Sequence, residues 1–265
     1  MKLPEYEVYA IKYAMRDARR AAHFIYGDPH DAPMPMDYFV WLVRDGARVF
    51  VVDAGFNAEV AEKRKRTWLR APRDGLALLG VRAADVDEVI ISHLHYDHVG
   101  TYADFPAARF HLQDDEMAFA TGRHMCHHQF NHSFEVDDVV GVVRMVYDDR
   151  VEFHDGDAQL APGLSVHRIG GHTAGLQSVR VHTARGWVVL ASDASHYYEH
   201  FEQGRCFPTV FNVGEMVQGF DRLRELADSP RHIVPGHDPL VMARYPAPSP
   251  ELKGIAVRLD VMPEG

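Results

Sequence analysis

Four strong metal-ligating side chains fall within six residues in the segment Ser92-His93-Leu94-His95-Tyr96-Asp97-His98-Val99-Gly100. The segment follows directly on an apolar run, DEVIIS at 87–92. At the end of an extended stretch, residues two apart point to the same side, so His93 and His95 can offer their imidazoles to one cation. A turn at Tyr96 then carries Asp97 and His98 toward a second. Three further donors each stand just beyond an apolar run: His172 after VHRIGG, Asp193 after VVLAS and His237 after HIVPG. Imidazole nitrogen and carboxylate oxygen are donors that divalent ions accept, and the chemistry such a set supports is activation of water and polarisation of a carbonyl.

To bring these donors to one place, the chain needs strands that end on a common edge. Residues 37–43 (DYFVWLV) and 48–53 (RVFVVD) read as a hairpin around Arg44-Asp45-Gly46-Ala47. Short strands are expected at 87–92, in ARFHL, at 164–169, 178–183 and 187–192, and in HIVP at 232–235. Helical spacing marks 57–70, 113–120 and 214–227, the last with Met216, Val217, Phe220, Leu223 and Leu226 on one face. Strands with turn-linked neighbours and interspersed helices point to a layered α/β protein. No repeat or linker divides residues 1–265, so one domain is expected, with the proline-rich YPAPSPELKG leaving the core.

Composition narrows the function classes. With 265 residues, 46% of them apolar, the chain can bury a sizeable core. A formal charge of -10 gives no footprint for a phosphate backbone, so no nucleic-acid partner is expected. The first twenty-five residues scatter charges among apolar positions, and no stretch spans a bilayer; the expectation is a cytoplasmic monomer or homodimer with a small-molecule substrate and no membrane partner. Two cysteines, Cys126 and Cys206, make neither a disulfide framework nor a thiolate zinc module, which leaves nitrogen and oxygen ligands for any metal.

The ordered set H-x-H-x-D-H, then His172, Asp193 and His237, resembles the metallo-β-lactamase superfamily over most of the chain. The resemblance implies an αββα sandwich, two mixed sheets packed face to face with helices outside. It also implies a two-metal site: His93, His95 and His172 around the first ion, Asp97, His98 and His237 around the second, Asp193 bridging. Zinc is favoured by these ligands, and Mn2+, Co2+ or Fe2+ suit them too. Asp53 sits where an acidic residue orienting a metal-bound histidine is expected, or where a turn aspartate ends a strand.

Within the superfamily, SHLHYDHVG, GGHTAGLQS, SDAS and PGHD are most similar to the N-acyl homoserine lactonase group. This implies opening of a lactone ring by a hydroxide shared between the metals, with Asp97 passing a proton to the departing alkoxide. The alternative is hydrolysis of another ester, a thioester or a cyclic amide, as in glyoxalase II-like or pyridoxolactonase-like relatives. Those lactonases commonly carry a tyrosine three residues after the bridging aspartate, where this chain has His196, followed by Tyr197 and Tyr198. Either His196 or Tyr197 is then a candidate donor to the oxyanion. Phe24 to Phe39 and 119–150, including His124, His127, His128 and His132, are candidate walls or covers of the site, while His111, His154, His167, His182 and His232 read as satisfied strand histidines.

Overall fold

A computed structural model describes residues 2–264. The strands are β1 (Glu7–Arg16), β2 (Met36–Arg44), β3 (Val49–Val52), β4 (Thr67–Trp68), β5 (Glu88–Ile90), β6 (Arg109–Gln113), β7 (Val151–His154), β8 (Ala158–Ala161), β9 (Leu164–Arg168), β10 (Gln177–Thr183), β11 (Gly186–Ser192), β12 (Ile233–Pro235) and β13 (Ala256–Arg258). One sheet runs β13-β1-β2-β3-β5-β6-β7, with β4 added beside β1; the other runs β12-β11-β10-β9-β8. Both are mixed: β3, β5, β6 and β7 are parallel in the first, and β11 and β12 are the parallel pair of the second.

The sheets pack face to face. Alternate residues of β1 and β2 (Val8, Ala10, Phe39, Trp41 and Val43) meet Val166, Val179, Val181 and Val188 of the second sheet in one apolar cluster. The other face of β1 and β2, with Tyr9, Ile11, Tyr13, Val40 and Leu42, is buried under helices. Burial on both sides is why β2 reads as a continuous apolar run.

The helices are α1 (Ala58–Lys63), α2 (Pro72–Leu78), α3 (Tyr96–Val99), α4 (Asp114–Ala120), α5 (His128–Asn131), α6 (Val136–Tyr147), α7 (Tyr198–Gln203), α8 (Val213–Leu226) and α9 (Leu240–Arg244). Leu76 of α2 with Val142 and Met145 of α6 cover the first sheet, and Met216, Phe220, Leu223 and Leu226 of α8 cover the second. This is an αββα sandwich. The Asn212 side chain caps α8 by accepting from the Glu215 amide. Val217 lies outside the apolar stripe of α8 and is 45% exposed.

Several elements differ from the sequence-based expectation. The helix expected over 57–70 stops at Lys63: Lys65 takes a left-handed conformation (φ 55°), and Thr67–Trp68 pairs with β1 instead. The opening residues, whose charges hide their alternation, form the ten-residue β1; its Lys12 is neutralised by the buried Asp37 at 2.7 Å. The proline-rich stretch runs along the surface but is pinned by the buried Tyr245 and Leu252. After its turns the chain returns to the core, where β13 pairs antiparallel with β1 and Val257 and Leu259 are buried.

Candidate metal centre

The donors converge where strands of both sheets end. Beyond β5, His93 Nε2 lies 2.9 Å from His95 Nδ1, and His172 Nε2, from the loop after β9, lies 2.9 Å from the same His95 nitrogen. Three imidazole nitrogens thus face one point. A second set forms at the start of α3, where Asp97 Oδ2 is 3.8 Å from His98 Nε2 and 3.7 Å from His237 Nε2. Asp193, just past β11, stands between the sets. Its Oδ2 is 3.2 Å from His172 Nε2 and 3.9 Å from His93 Nε2, while its Oδ1 is 3.0 Å from His237 Nε2 and 3.3 Å from His98 Nε2.

All seven side chains are buried. Burial holds the His93 and His95 imidazoles well below the ordinary histidine pKa, with His98 and His172 adding to the effect. Burial also opposes charge on His98, but Asp193, Asp53 and Asp97 together carry it well above the ordinary value. Burial would push Asp193 up, yet His237, His196 and His98 hold it well below the carboxylate range. Despite their proximity, His98 Nε2 and Asp193 Oδ1 have no hydrogen-bond partner. Buried polar atoms left unpaired are costly, and a divalent cation between these donors would satisfy them; the donor set fits such ions.

A family profile described as the metallo-beta-lactamase superfamily matches residues 34–237, a span holding all seven donors. The chain belongs to the metallo-β-lactamase superfamily. It is a metal-dependent hydrolase of that fold. Among curated relatives, the N-acyl homoserine lactonase AttM of Azorhizobium caulinodans is 26% identical over 243 residues, covering 80% of this chain and 85% of its own. The N-acyl homoserine lactonase AiiB of Agrobacterium fabrum is 32% identical over 179 residues, covering 62% of this chain and 60% of its own. A quorum-quenching N-acyl homoserine lactone lactonase structure superposes with a TM-score of 0.76 at 21% identity, covering 91% of this chain and 95% of its own. An N-acyl homoserine lactone hydrolase with the product N-hexanoyl-L-homoserine at its catalytic metal centre gives 0.73 at 20% identity, covering 92% and 96%.

Partners outside the cluster fix three of its rings. Asp53 Oδ2 accepts from His98 Nδ1 at 2.7 Å, and Oδ1 accepts from the Ser92 amide at 2.7 Å, so Asp53 orients the His98 ring and does more than end a strand. His172 Nδ1 donates to the Thr209 carbonyl at 2.6 Å, and His237 Nδ1 to the Asp37 carbonyl at 2.8 Å. These bonds turn the Nε2 atoms of the three rings toward the centre. Asp53 (φ 62°) and Ser192 (φ 47°) hold left-handed backbone beside the ligands, at a cost of about 1–3 kcal/mol each. Gly236 is needed next to His237, because a Cβ there would come within 2.7 Å of the Ser192 carbonyl.

The two candidate donors part company. His196 lies in the site: its Nε2 is 2.9 Å from Asp193 Oδ2, and its ring stacks on Phe207 with centroids 3.7 Å apart. Burial keeps it neutral. With its Nε2 proton given to Asp193, a neutral His196 has only a bare Nδ1, which accepts and cannot donate to an oxyanion. Tyr197 is turned away from the cluster. Its hydroxyl lies 3.1 Å from His23 Nε2 and donates to the Pro35 carbonyl at 3.1 Å, where it ties α7 to the 20–35 segment.

The centre opens into a cavity of about 140 Å³ whose wall includes Met36 and Tyr38 from one expected segment and His132 and Ser133 from the other. His124 instead packs among Phe119, Phe130 and Phe211. The five strand histidines all have partners, although His232 sits in a turn before β12; His111, for example, bonds His154 and Glu88 at 3.0 Å each. Sequence reasoning missed Glu116 of α4, which accepts from the Leu94 amide through one oxygen and from Thr173 and Gly175 through the other, clasping the two ligand loops. It also missed Arg16, Arg66 and Thr209 on the cavity wall. The two arginines left only the signal of isolated charge beside a strand, and Thr209 left none. No helix among the described residues is long and apolar enough to cross a membrane.

Proposed function

We propose that residues 1–265 form one hydrolase domain that holds two divalent cations, zinc by preference, and opens a lactone ring in an N-acyl homoserine lactone or a related small cyclic ester. The observation that carries the reading is the placement of Asp193, whose two oxygens face two separate histidine sets. His93, His95 and His172 would hold one ion and Asp97, His98 and His237 the other. Bound there, the cations supply Lewis acidity toward the ester carbonyl and lower the pKa of water toward neutrality. The lactonase relatives support the choice of ester.

The protein's own groups do the rest. Asp97 lies on the cavity wall beside His237, within the space where an alkoxide would leave, and is the group assigned to carry its proton. His196 braces the Asp193 carboxylate through Oδ2, the oxygen that does not face His237, and Phe207 fixes its ring. The donor to the developing oxyanion is assigned to Tyr38. Arg66 Nε donates to the Tyr96 hydroxyl at 3.0 Å and Tyr96 donates to the Tyr38 hydroxyl at 3.3 Å, so the Tyr38 proton is left over for the cavity. Burial raises the Tyr38 pKa and keeps that proton in place.

The test is elemental analysis of the purified protein, with proton release at constant pH against γ-lactones, homoserine lactones, aromatic lactones, thioesters and β-lactams, for wild type, Asp97→Asn and His172→Ala. About two metals per chain, and a lactone opened by wild type alone, uphold the proposal. Two metals with turnover of thioesters or amides only would leave the centre standing and sink the lactonase reading.

A further inference from the structure

We infer that the substrate carries a free carboxylate, gripped at the cavity wall by Arg16 and Arg66; the inference rests on the ester-opening reading above. In the β1–β4 ladder Ala14 faces Trp68 and Met15 faces Thr67. One more step of that register sets Arg16 opposite Arg66, and both side chains line the metal-site cavity. Like charges directly across a strand pair repel, and an anion seated between the two guanidinium groups would relieve that repulsion.

Neither guanidinium has a carboxylate partner among the described residues. Arg16 donates through Nε to Met36 Sδ at 3.1 Å. Arg66 donates through Nε to the Tyr96 hydroxyl and through Nη1 to the Arg64 carbonyl at 2.8 Å. Both Nη groups of Arg16 and the Nη2 of Arg66 are therefore uncommitted. The chain has 38 acidic residues against 28 basic ones, and neighbouring Arg64 is paired with Glu135 at 2.8 Å. Two unpaired guanidinium groups beside the metal ligands of so acidic a chain are a ready-made fork for a carboxylate, which matches guanidinium geometry.

The cavity shape agrees. At about 140 Å³ it is far smaller than the adjoining hollow of about 740 Å³ lined by Met125, Phe134, Val136, Val139 and Val140. The arginines are on the small cavity, and Arg64 and His132 are what the two share. A compact lactone with a carboxylate on its ring fits this division better than one whose only recognition handle is an alkyl chain.

The test compares 5-oxotetrahydrofuran-2-carboxylate with its methyl ester on the metal-loaded protein, in wild type, Arg16→Met and Arg66→Met. The expected result is a KM for the acid at least about tenfold below that of the ester in wild type, and a ratio that collapses toward one in each variant, since hydrogen bonds to charged groups are worth about tenfold or more. Calorimetry with 2-hydroxyglutarate, the ring-opened product, reads the same contact without turnover: binding should weaken about tenfold in each variant. Equal KM values for acid and ester in wild type, or product binding indifferent to both substitutions, would overturn the assignment. If no lactone is opened at all, the ester-opening reading fails by itself, while arginine-dependent binding of 2-hydroxyglutarate still supports the carboxylate fork.

Discussion

Asp53 reaches the centre only through others: it holds the His98 imidazole and the Ser92 amide, and accepts the Ser92 hydroxyl at 2.9 Å. Partners of this kind set the tautomer and raise the basicity of a ligand, and their loss typically costs 10–100-fold in metal affinity. Asp53→Ala should show that loss in competition with a chromophoric chelator; unchanged affinity would mean that His98 needs no orienting carboxylate. Tyr38 makes the complementary case, since its assigned role is confined to the transition state. Removing one oxyanion donor lowers kcat by about 10²–10³. Tyr38→Phe should therefore depress kcat by that order with KM little moved, and wild-type kcat would shift the donor role elsewhere.

At the scale of elements, α6 carries a cost that pH can expose. Burial raises the Asp138 carboxyl to about 6, with Glu135 and Asp137 pushing the same way, and its Oδ2 has no hydrogen-bond partner. The folded pKa of about 6 lies above the ordinary 3.8, so the penalty is absent well below 3.8, grows as pH rises between the two values and is complete above them. Asp138→Asn should raise the unfolding free energy by about 1–2 kcal/mol at about pH 8, after allowance for solvent screening, and by close to nothing at about pH 3. Denaturant titration at both pH values measures it, and an equal gain at the two would point to a cause other than charge. The same scale explains what the sequence disclosed. His93, His95, Asp97, His98, His172, Asp193 and His237 stood out because strand ends present chemically distinctive donors at regular offsets. Asp37 and Thr209 did not, since they act through backbone carbonyls that any residue could offer, and Glu116 did not, because its loops are 22 and 57 residues away. β1 was hidden by Lys12, whose charge is cancelled by a residue 25 positions on. Between His196 and Tyr197, one step along the chain decides which side chain faces Asp193, and composition holds no record of that parity.

At the scale of the whole molecule, the centre is also a seam. His93, His95, Asp97 and His98 follow β5 of the first sheet, whereas His172, Asp193 and His237 follow β9, β11 and β12 of the second. Cations held between them would tie the two sheets together, adding to the buried hydrogen bonds that Gln177 of β10 makes to the Ile91 and His111 carbonyls and that Ser192 makes to Ser92. Without ions, the cluster keeps the neutral His93 and His95 imidazoles crowded beside Asp193 and leaves two buried atoms unpaired. Ions that bind the fold and not the unfolded chain add RT ln(1 + [L]/Kd), about 4 kcal/mol at a thousandfold excess over Kd. For a domain of 150–250 residues each kcal/mol moves Tm by about 2–4 °C, so this larger chain should lose on the order of 10 °C when stripped by chelator and regain it on adding zinc. Calorimetry on stripped, reloaded and His172→Ala protein checks this. The variant, lacking one ligand, should respond less to the chelator than wild type does. A Tm that ignores chelator in all three would mean that the sheets are held by their apolar contacts and the hydrogen bonds between them, and that the seven donors bind no ion tightly enough to matter for the fold.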